Sequence, residues 1–382
     1  MTDGVNPPRI LVCGTRFGEH YLASLATPGA RYRLAGILAR GSARSAALAQ
    51  HFDVPLYPHV DAVPDDGIDI VCVVVRTALF DGQGTALAQA FLERGLPVLQ
   101  EHPAHPGEVA RLKRLARQNQ TTYQVNAFYP HLPAGRCWID YIGRAMRGGE
   151  RLPQFLEMTT SPQLLYSSLD LLGRAMGGLE TTKISGPLHS AQSPFHTFVG
   201  TVNDIPFTLN FQSFLDPSDP DHHSLVMHKM AALWPEGTVQ LTNSFGPVLW
   251  SHALYAPDYD RDDRGASYIL SPELHRACRY FSQPSATALG DPEGEPIRDV
   301  VARQFPDAVA AALDDVWNAR TGSAATPFQS EDYLLSLGQF WLKIMQMAGQ
   351  PRMLSLPPPP PPFPDPVDYA QTERSQIWMN AF

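Results

Sequence analysis

Two short stretches hold the residue types best suited to gripping phosphate. The first is Gly14-Thr15-Arg16-Phe17-Gly18. It follows the apolar run Arg9-Ile10-Leu11-Val12-Cys13 and precedes a helical pattern with Tyr21, Leu22, Leu25 and Ala26 on one face. Glycines at such a turn let backbone approach a pyrophosphate, whose charge suits the N-terminus of the helix behind it. The turn is one residue shorter than G-x-G-x-x-G, with Arg16 where the middle glycine would stand. The second stretch is Arg40, Ser42, Arg44 and Ser45, after a second apolar run over 32–39. An Asp or Glu at this point usually holds a free ribose diol. No acidic residue occurs between Ala30 and Phe52. Guanidinium forks and hydroxyls suit a 2′-phosphate instead, so a bound dinucleotide is expected to be NADP(H), in practice NADPH.

Those residues need a frame. Helix Ala43–His51, a short strand near Pro55-Leu56-Tyr57, a β-branched strand over 68–75, a helix over 77–95 and a strand over 97–100 follow in turn. Such alternation predicts an α/β, Rossmann-type, doubly wound parallel sheet, whose ligand crevice lies beyond the carboxyl ends of its strands. That rule selects Arg76, Thr77, Glu101, His102 and Pro103. An imidazole ordinarily titrates near ~6.5 and can carry a proton at working pH, which makes His102 a candidate catalytic residue.

The bulk numbers bound the rest. A chain of 382 residues usually needs two domains. A net charge of −9 argues against nucleic acid as the main partner. Cys13 and Cys72 fall in apolar strands and read as inert core thiols. No stretch reads as a signal peptide, and no apolar run approaches the ~20 residues that span a bilayer. A cytoplasmic location without membrane contact is expected, and no metal site.

Beyond a helix over 133–146, strands over 155–160, 207–214, 225–233 and 238–242 suggest an open, mainly antiparallel sheet. Residues 255–298 read as a long loop with a short helix near 272–281. Helices are expected over 307–320 and 330–347, the latter with Tyr333, Leu334, Leu337, Trp341 and Ile344 along one face. The prolines at 357–362 read as a stiff polyproline spacer.

Taken in order, Cys-Gly-Thr-x-Phe-Gly, Gly-Ser-Ala-Arg-Ser, Glu101-His102-Pro103 and Asn126-Ala127-Phe128-Tyr129-Pro130-His131 resemble the glucose–fructose oxidoreductase-like (Gfo/Idh/MocA) family. Within it they resemble the thiazolinyl imine reductases of siderophore assembly, of the yersiniabactin and pyochelin type. The likeness continues through Leu164-Leu165-Tyr166-Ser167-Ser168-Leu169-Asp170. In the family the fifth strand ends in Glu-Lys-Pro, often with a cis proline; here His102 replaces the lysine. The resemblance implies a cofactor domain over 1–130. Over 131–382 it implies a substrate-binding and homodimer-forming α+β domain with C-terminal helices and a Pro-rich tail. It also implies reduction of a thiazoline C=N bond on a carrier-protein-tethered intermediate of a nonribosomal peptide synthetase, with Tyr129 and His102 beside the nicotinamide. A phenol, ordinary pKa ~10, can still donate along a hydrogen bond to developing charge. Sugar dehydrogenases of the family carry Asp-x-x-x-His on the helix facing the nicotinamide; alignment through Asp170 puts Gln163 and Ser167 there, and neither is a base near neutral pH.

Other residues read more plainly. His222, His223 and His228 read as solvated histidines rather than metal ligands. His105 and His131 fit either a pocket wall or the surface. Arg111, Lys113, Arg114 and Arg117 read as a solvated helix face rather than a carrier-protein dock. Two rivals to imine reduction are an NADP-dependent sugar or polyol dehydrogenase of the same fold and a non-catalytic NADP-binding sensor.

Overall fold

The apolar runs at 10–13 and 70–73 are wholly buried, as central strands covered on both faces must be. In the computed structural model, which describes residues 7–77, 82–149, 151–188, 193–218, 224–253, 282–291, 294–323 and 326–355, they become two of six parallel strands. These are β1 (Arg9–Cys13), β2 (Arg33–Leu38), β3 (Leu56–Tyr57), β4 (Ile70–Val73), β5 (Val98–Glu101) and β6 (Tyr123–Asn126), in the order β3-β2-β1-β4-β5-β6. The order reverses between β1 and β4, which opens a crevice at their carboxyl ends. Helices α1 (Gly18–Ala26), α2 (Ala43–His51), α3 (Gly84–Glu93) and α4 (Pro106–Gln118) accompany them. Cys13 and Cys72 lie in this core, where burial pushes both thiols up, so neither is a reactive thiolate.

One helix starts later than expected. Instead of running from 77, α3 begins at Gly84, whose N–H donates to the Arg76 carbonyl at 2.9 Å. A Cβ at Gly84 would strike the Val75 carbonyl oxygen. No side chain fits at Gly84, and Thr77, at the other end of this segment, is buried.

After α5 (Pro133–Ala145) comes the second sheet. It comprises β7 (Phe155–Thr160), β8 (Thr182–Leu188), β9 (Phe195–Val202), β10 (Ile205–Gln212), β12 (Lys229–Trp234), β13 (Gly237–Leu241), β14 (Val248–His252) and β15 (Ala286–Leu289). Among the described residues its order is β15-β14-β13-β12-β7-β10-β9-β8, antiparallel except where β10 runs parallel to β7. The strand expected over 225–233 is shorter, because ahead of Lys229 the backbone bonds to side chains. Leu225 N–H donates to Gln212 Oε1 at 2.9 Å, and His228 N–H to Ser244 Oγ at 3.5 Å.

Helix α6 (Leu165–Ala175) lies against this sheet and is buried along almost its whole length. Asp170 anchors it: Oδ2 accepts from Arg174 Nε at 3.0 Å and Oδ1 from the Tyr333 hydroxyl at 2.7 Å. Tyr333 stands on the helix Glu331–Ala348, which packs on α4 and α6. The helix Phe305–Arg320 returns to the nucleotide sheet. It packs against α1, β5 and β6, and its Ala308, Val309, Ala312, Leu313 and Val316 join the core of Ile10, Val12, Tyr21 and Leu22.

The chain forms two units, 1–213 with 224–349, and 214–223 with 350–382. In the second, β11 (Phe214–Leu215) pairs in parallel with β16 (Arg352–Met353). The expected helix near 272–281 and the prolines at 357–362 lie outside the described residues. No described helix is long and apolar enough to cross a membrane.

Candidate active site

Gly14 ends β1 with φ +98°, and a Cβ there would strike the Val74 carbonyl oxygen. Only glycine suits both constraints. Thr15, Arg16 and Phe17 continue the turn, and Gly18 packs close to Val12 and Val74. The ring of Phe17 meets Phe128 edge-on at 5.4 Å, which ties this turn to the end of β6.

The turn after β2 comes to the same place. Arg44 Nε donates to the Thr15 carbonyl at 3.2 Å, and its other arm pairs with Glu19. Glu19 is the carboxylate that a window over 30–52 does not contain. Ser42 caps α2, its Oγ accepting from Ser45 N–H at 3.2 Å, while Ser45 Oγ donates back to the Ser42 carbonyl at 3.0 Å. The Ser45 proton is thus engaged in the cap, while Ser42 Oγ serves it as an acceptor. Arg40 is exposed and has no hydrogen-bond or ion-pair partner among the described residues.

At the crevice Arg76 is exposed, whereas Thr77 is buried with Oγ1 unpartnered among the described residues. At the end of β5, Glu101 is held from one side by the hydroxyl of Tyr21, and by Asn126 Nδ2 at 3.4 Å. Asn126 Nδ2 also donates to the Tyr21 oxygen at 2.5 Å, and Asn126 Oδ1 accepts from Phe128 N–H at 2.8 Å. The other carboxylate oxygen faces His102 Nδ1 at 2.8 Å, and the Asn126 carbonyl lies 3.1 Å from the same nitrogen. Both neighbours only accept, so Nδ1 carries a proton and donates. Nε2 has no hydrogen-bond partner among the described residues. The bond from His102 to Pro103 is cis, and Tyr166 stacks on the imidazole at 5.7 Å with planes 23° apart.

Tyr129 follows the strained Phe128, φ +60°. Its hydroxyl has no hydrogen-bond partner among the described residues. Burial, and behind it the Glu101 charge, pushes this phenol above its ordinary range, so it stays protonated near neutral pH.

The tyrosine ring lies 4.3 Å from the ring of His228. This corrects the expectation of a solvated histidine, since His228 is fully buried. Its Nε2 is 2.8 Å from Ser167 Oγ and its Nδ1 2.6 Å from Ser244 Oγ. Burial, and secondarily the charge of a protonated His102, lowers its pKa to about 3. The sequence clue was position: His228 immediately precedes a strand packed beside β7. His222 and His223 lie outside the described residues.

Other expected residues lie elsewhere. His105 caps α4, its Nδ1 accepting from Gly107 N–H at 3.1 Å. His131 is buried, its pKa lowered to about 3 by burial first and then by Arg174 and Arg136. On α4, Lys113 Nζ donates to the Gln329 carbonyl at 2.6 Å and burial lowers its pKa to about 8. Arg117 pairs with Glu331 at 2.6 Å, and Arg111 with Gln89. Arg111, Arg114 and Arg117 are exposed, as a solvated face requires, and only Lys113 departs from it by being partly buried.

Comparison with known proteins bears on the two parts of the fold. Residues 8–127 match the oxidoreductase family with an NAD-binding Rossmann fold (Gfo/Idh/MocA). Residues 151–251 match the thiazolinyl imine reductase Irp3-like C-terminal domain. Among solved structures, UDP-N-acetylglucosamine 3-dehydrogenase GnnA from Acidithiobacillus ferrooxidans is 18% identical, with 89% of this chain and 96% of that chain covered and a TM-score of 0.59. A variant of KijD10, a 3-ketoreductase from Actinomadura kijaniata in complex with TDP-benzene and NADP, is 13% identical, with 91% and 100% covered and a TM-score of 0.62. An oxidoreductase from Agrobacterium radiobacter in complex with NAD+, L-tartaric acid and magnesium is 12% identical, with 90% and 96% covered and a TM-score of 0.60. At such identities the likeness shows the fold. No curated protein matches the chain by sequence.

Proposed function

The chain is an oxidoreductase that joins a Gfo/Idh/MocA Rossmann domain to an Irp3-like C-terminal domain, and from that premise we propose that it reduces a thiazoline C=N bond to a thiazolidine, using NADPH. The substrate is an acyl thioester tethered to a carrier protein of a nonribosomal peptide synthetase making a siderophore. The observation that supports the reading is a buried, protonated phenol, Tyr129, with no hydrogen-bond partner for its hydroxyl among the described residues, three residues beyond the strand β6 whose last carbonyl bonds His102.

The chain suits the nucleotide. Gly14 has no room for a side chain beside the expected pyrophosphate path, and Thr77 presents a buried hydroxyl without a partner among the described residues. Gly14, Thr15, Arg16, Phe17 and Gly18 would hold the pyrophosphate, with Arg76, Thr77, Glu101 and His102 nearer the nicotinamide. Arg40, with Arg44, would face the 2′-phosphate. When bound, NADPH supplies hydride to the imine carbon. A thiazoline nitrogen is weakly basic, so a positioned donor lowers the barrier as charge develops on it. Tyr129 donates its hydroxyl proton to that nitrogen. His102, oriented through Nδ1 by Glu101, restores it from Nε2 when that nitrogen carries a proton.

Ser167 and Gln163 offer no base for taking a proton from a sugar hydroxyl, and His228 is held neutral. This favours imine reduction over alcohol oxidation. The outer sheet strands expose Leu188 and Val199, a surface suited to a second copy in a homodimer. We place the protein in the cytoplasm, with its carrier-bound substrate.

The test follows NADPH absorbance with a thiazoline-bearing acyl thioester and then with free sugars. Oxidation is expected with the thioester alone. Turnover with sugars alone would overturn the reading in favour of a dehydrogenase; tight NADPH binding without any turnover would favour a sensor.

A further inference from the structure

We propose that His228 is a positioning residue for Tyr129, a neutral imidazole pinned at both nitrogens by serines so that its ring sets the direction of the phenol. The proposal rests on Tyr129 being the proton donor.

The bond directions follow from counting protons. Ser167 Oγ has one, and donates it to the Leu164 carbonyl at 3.0 Å. Toward His228 it can therefore only accept, so Nε2 carries the imidazole proton and donates across 2.8 Å. Nδ1 is then an acceptor, filled by the Ser244 hydroxyl at 2.6 Å. Ser244 Oγ also accepts from the His228 backbone N–H. Each ring nitrogen has a fitting partner in the neutral form, and a second proton on Nδ1 would require the Ser244 hydroxyl to turn its own proton away. Full burial disfavours the charged form in the same direction. The pinned ring therefore neither gives nor takes a proton in the reaction.

What it presents instead is its face. The Tyr129 ring lies 4.3 Å away at 50°, and Phe128 meets it edge-on at 5.5 Å. The Tyr129 N–H is tied to the Ala127 carbonyl at 2.7 Å. Backbone and both rings are thus restrained while the hydroxyl is unpartnered among the described residues. The clamp draws on three places in the second sheet's domain: α6 through Ser167, the residue before β12, and the turn after β13 through Ser244. Phenylalanine at 228 would keep ring contact but strand the Ser244 proton in the core. A histidine gives a ring that cannot rotate without breaking two bonds.

The experiment labels the protein with 3-fluorotyrosine and assigns the Tyr129 fluorine resonance by its loss in Tyr129→Phe. In His228→Ala the Tyr129 resonance should shift and broaden, with NADPH affinity unchanged within about twofold and kcat about tenfold lower. On the Tyr129→Phe background His228→Ala should cost less than about threefold, because a residue acting through another is non-additive with it. Should the alanine variant not fold, His228→Gln, which can still bond a serine, is read in the same way, and it should recover much of kcat. An unmoved Tyr129 resonance in a folded variant, or a full tenfold cost on the Tyr129→Phe background, overturns the proposal. The resonance needs no substrate. A line that moves in His228→Ala, together with a wild-type protein that ignores thiazoline thioesters, therefore overturns the reaction assigned above and leaves the contact standing.

Discussion

His102 follows a strand of the parallel sheet and His228 precedes a strand of the second sheet, and their partners hold the same side chain differently. His102 follows β5 with Nδ1 between the Glu101 carboxylate and the Asn126 carbonyl. His228 sits before β12 with a hydroxyl at each nitrogen. One imidazole has a ring nitrogen without a partner among the described residues; the other has both nitrogens held. A histidine near a reaction centre is thus assigned a role by the protons and lone pairs around it, not by nearness.

The largest effect expected from this contrast is on stability in acid. His228 and His131 have folded values near about 3, below the ordinary 6.5. The unfolded chain then binds protons that the folded chain refuses, so stability is complete above pH 6.5 and is lost as pH falls toward 3. Each histidine contributes a slope of at most about 1.4 kcal/mol per pH unit in that window. Urea unfolding at a series of pH values should show the loss, and His228→Gln should make the slope shallower. An unchanged slope would erase the distinction between the two histidines.

Next in size, Tyr129→Phe should lower kcat by about 100-fold, in the range of a lost proton donor, with NADPH affinity nearly unchanged. Steady-state rates and a fluorescence titration check both halves. A full rate would remove Tyr129 from the mechanism.

Glu101→Gln should lower kcat about thirtyfold, because an amide no longer holds the Nδ1–H of His102 with a charge-assisted bond. A rate within twofold of wild type would show that the Asn126 carbonyl alone suffices. The smallest effect belongs to the far end of the nucleotide: Arg40→Asp should weaken NADPH about tenfold more than NADH, by repelling a 2′-phosphate. Equal losses would contradict the phosphate reading.

Much of this was legible beforehand, and the reasons differ by region. The six parallel strands declare themselves because a strand buried on both faces needs an unbroken apolar run, and the crevice follows from strand order. Glu101, His102 and Tyr129 could be placed because each stands within three residues of a readable strand end. The later start of α3 escaped because Gly82 and Gly84 approach carbonyls that no local pattern reveals. Glu19 escaped because its ion pair with Arg44 joins two separate turns. Lys113 looked like one cation among four on a helix, and only the Glu331–Ala348 side of the fold covers it.

What the amino-acid order determined by itself was local: periodicity set the strands and helices, and the glycines set the turn that follows β1. Tertiary structure decided the electrical state of the side chains. Whether a histidine is solvated or sealed, or an arginine shared or uncommitted, depends on desolvation and on partners brought from far along the chain. Both arise only when the core closes, so three histidines that look alike in sequence can include one, His228, that is neutral, buried and aimed at Tyr129.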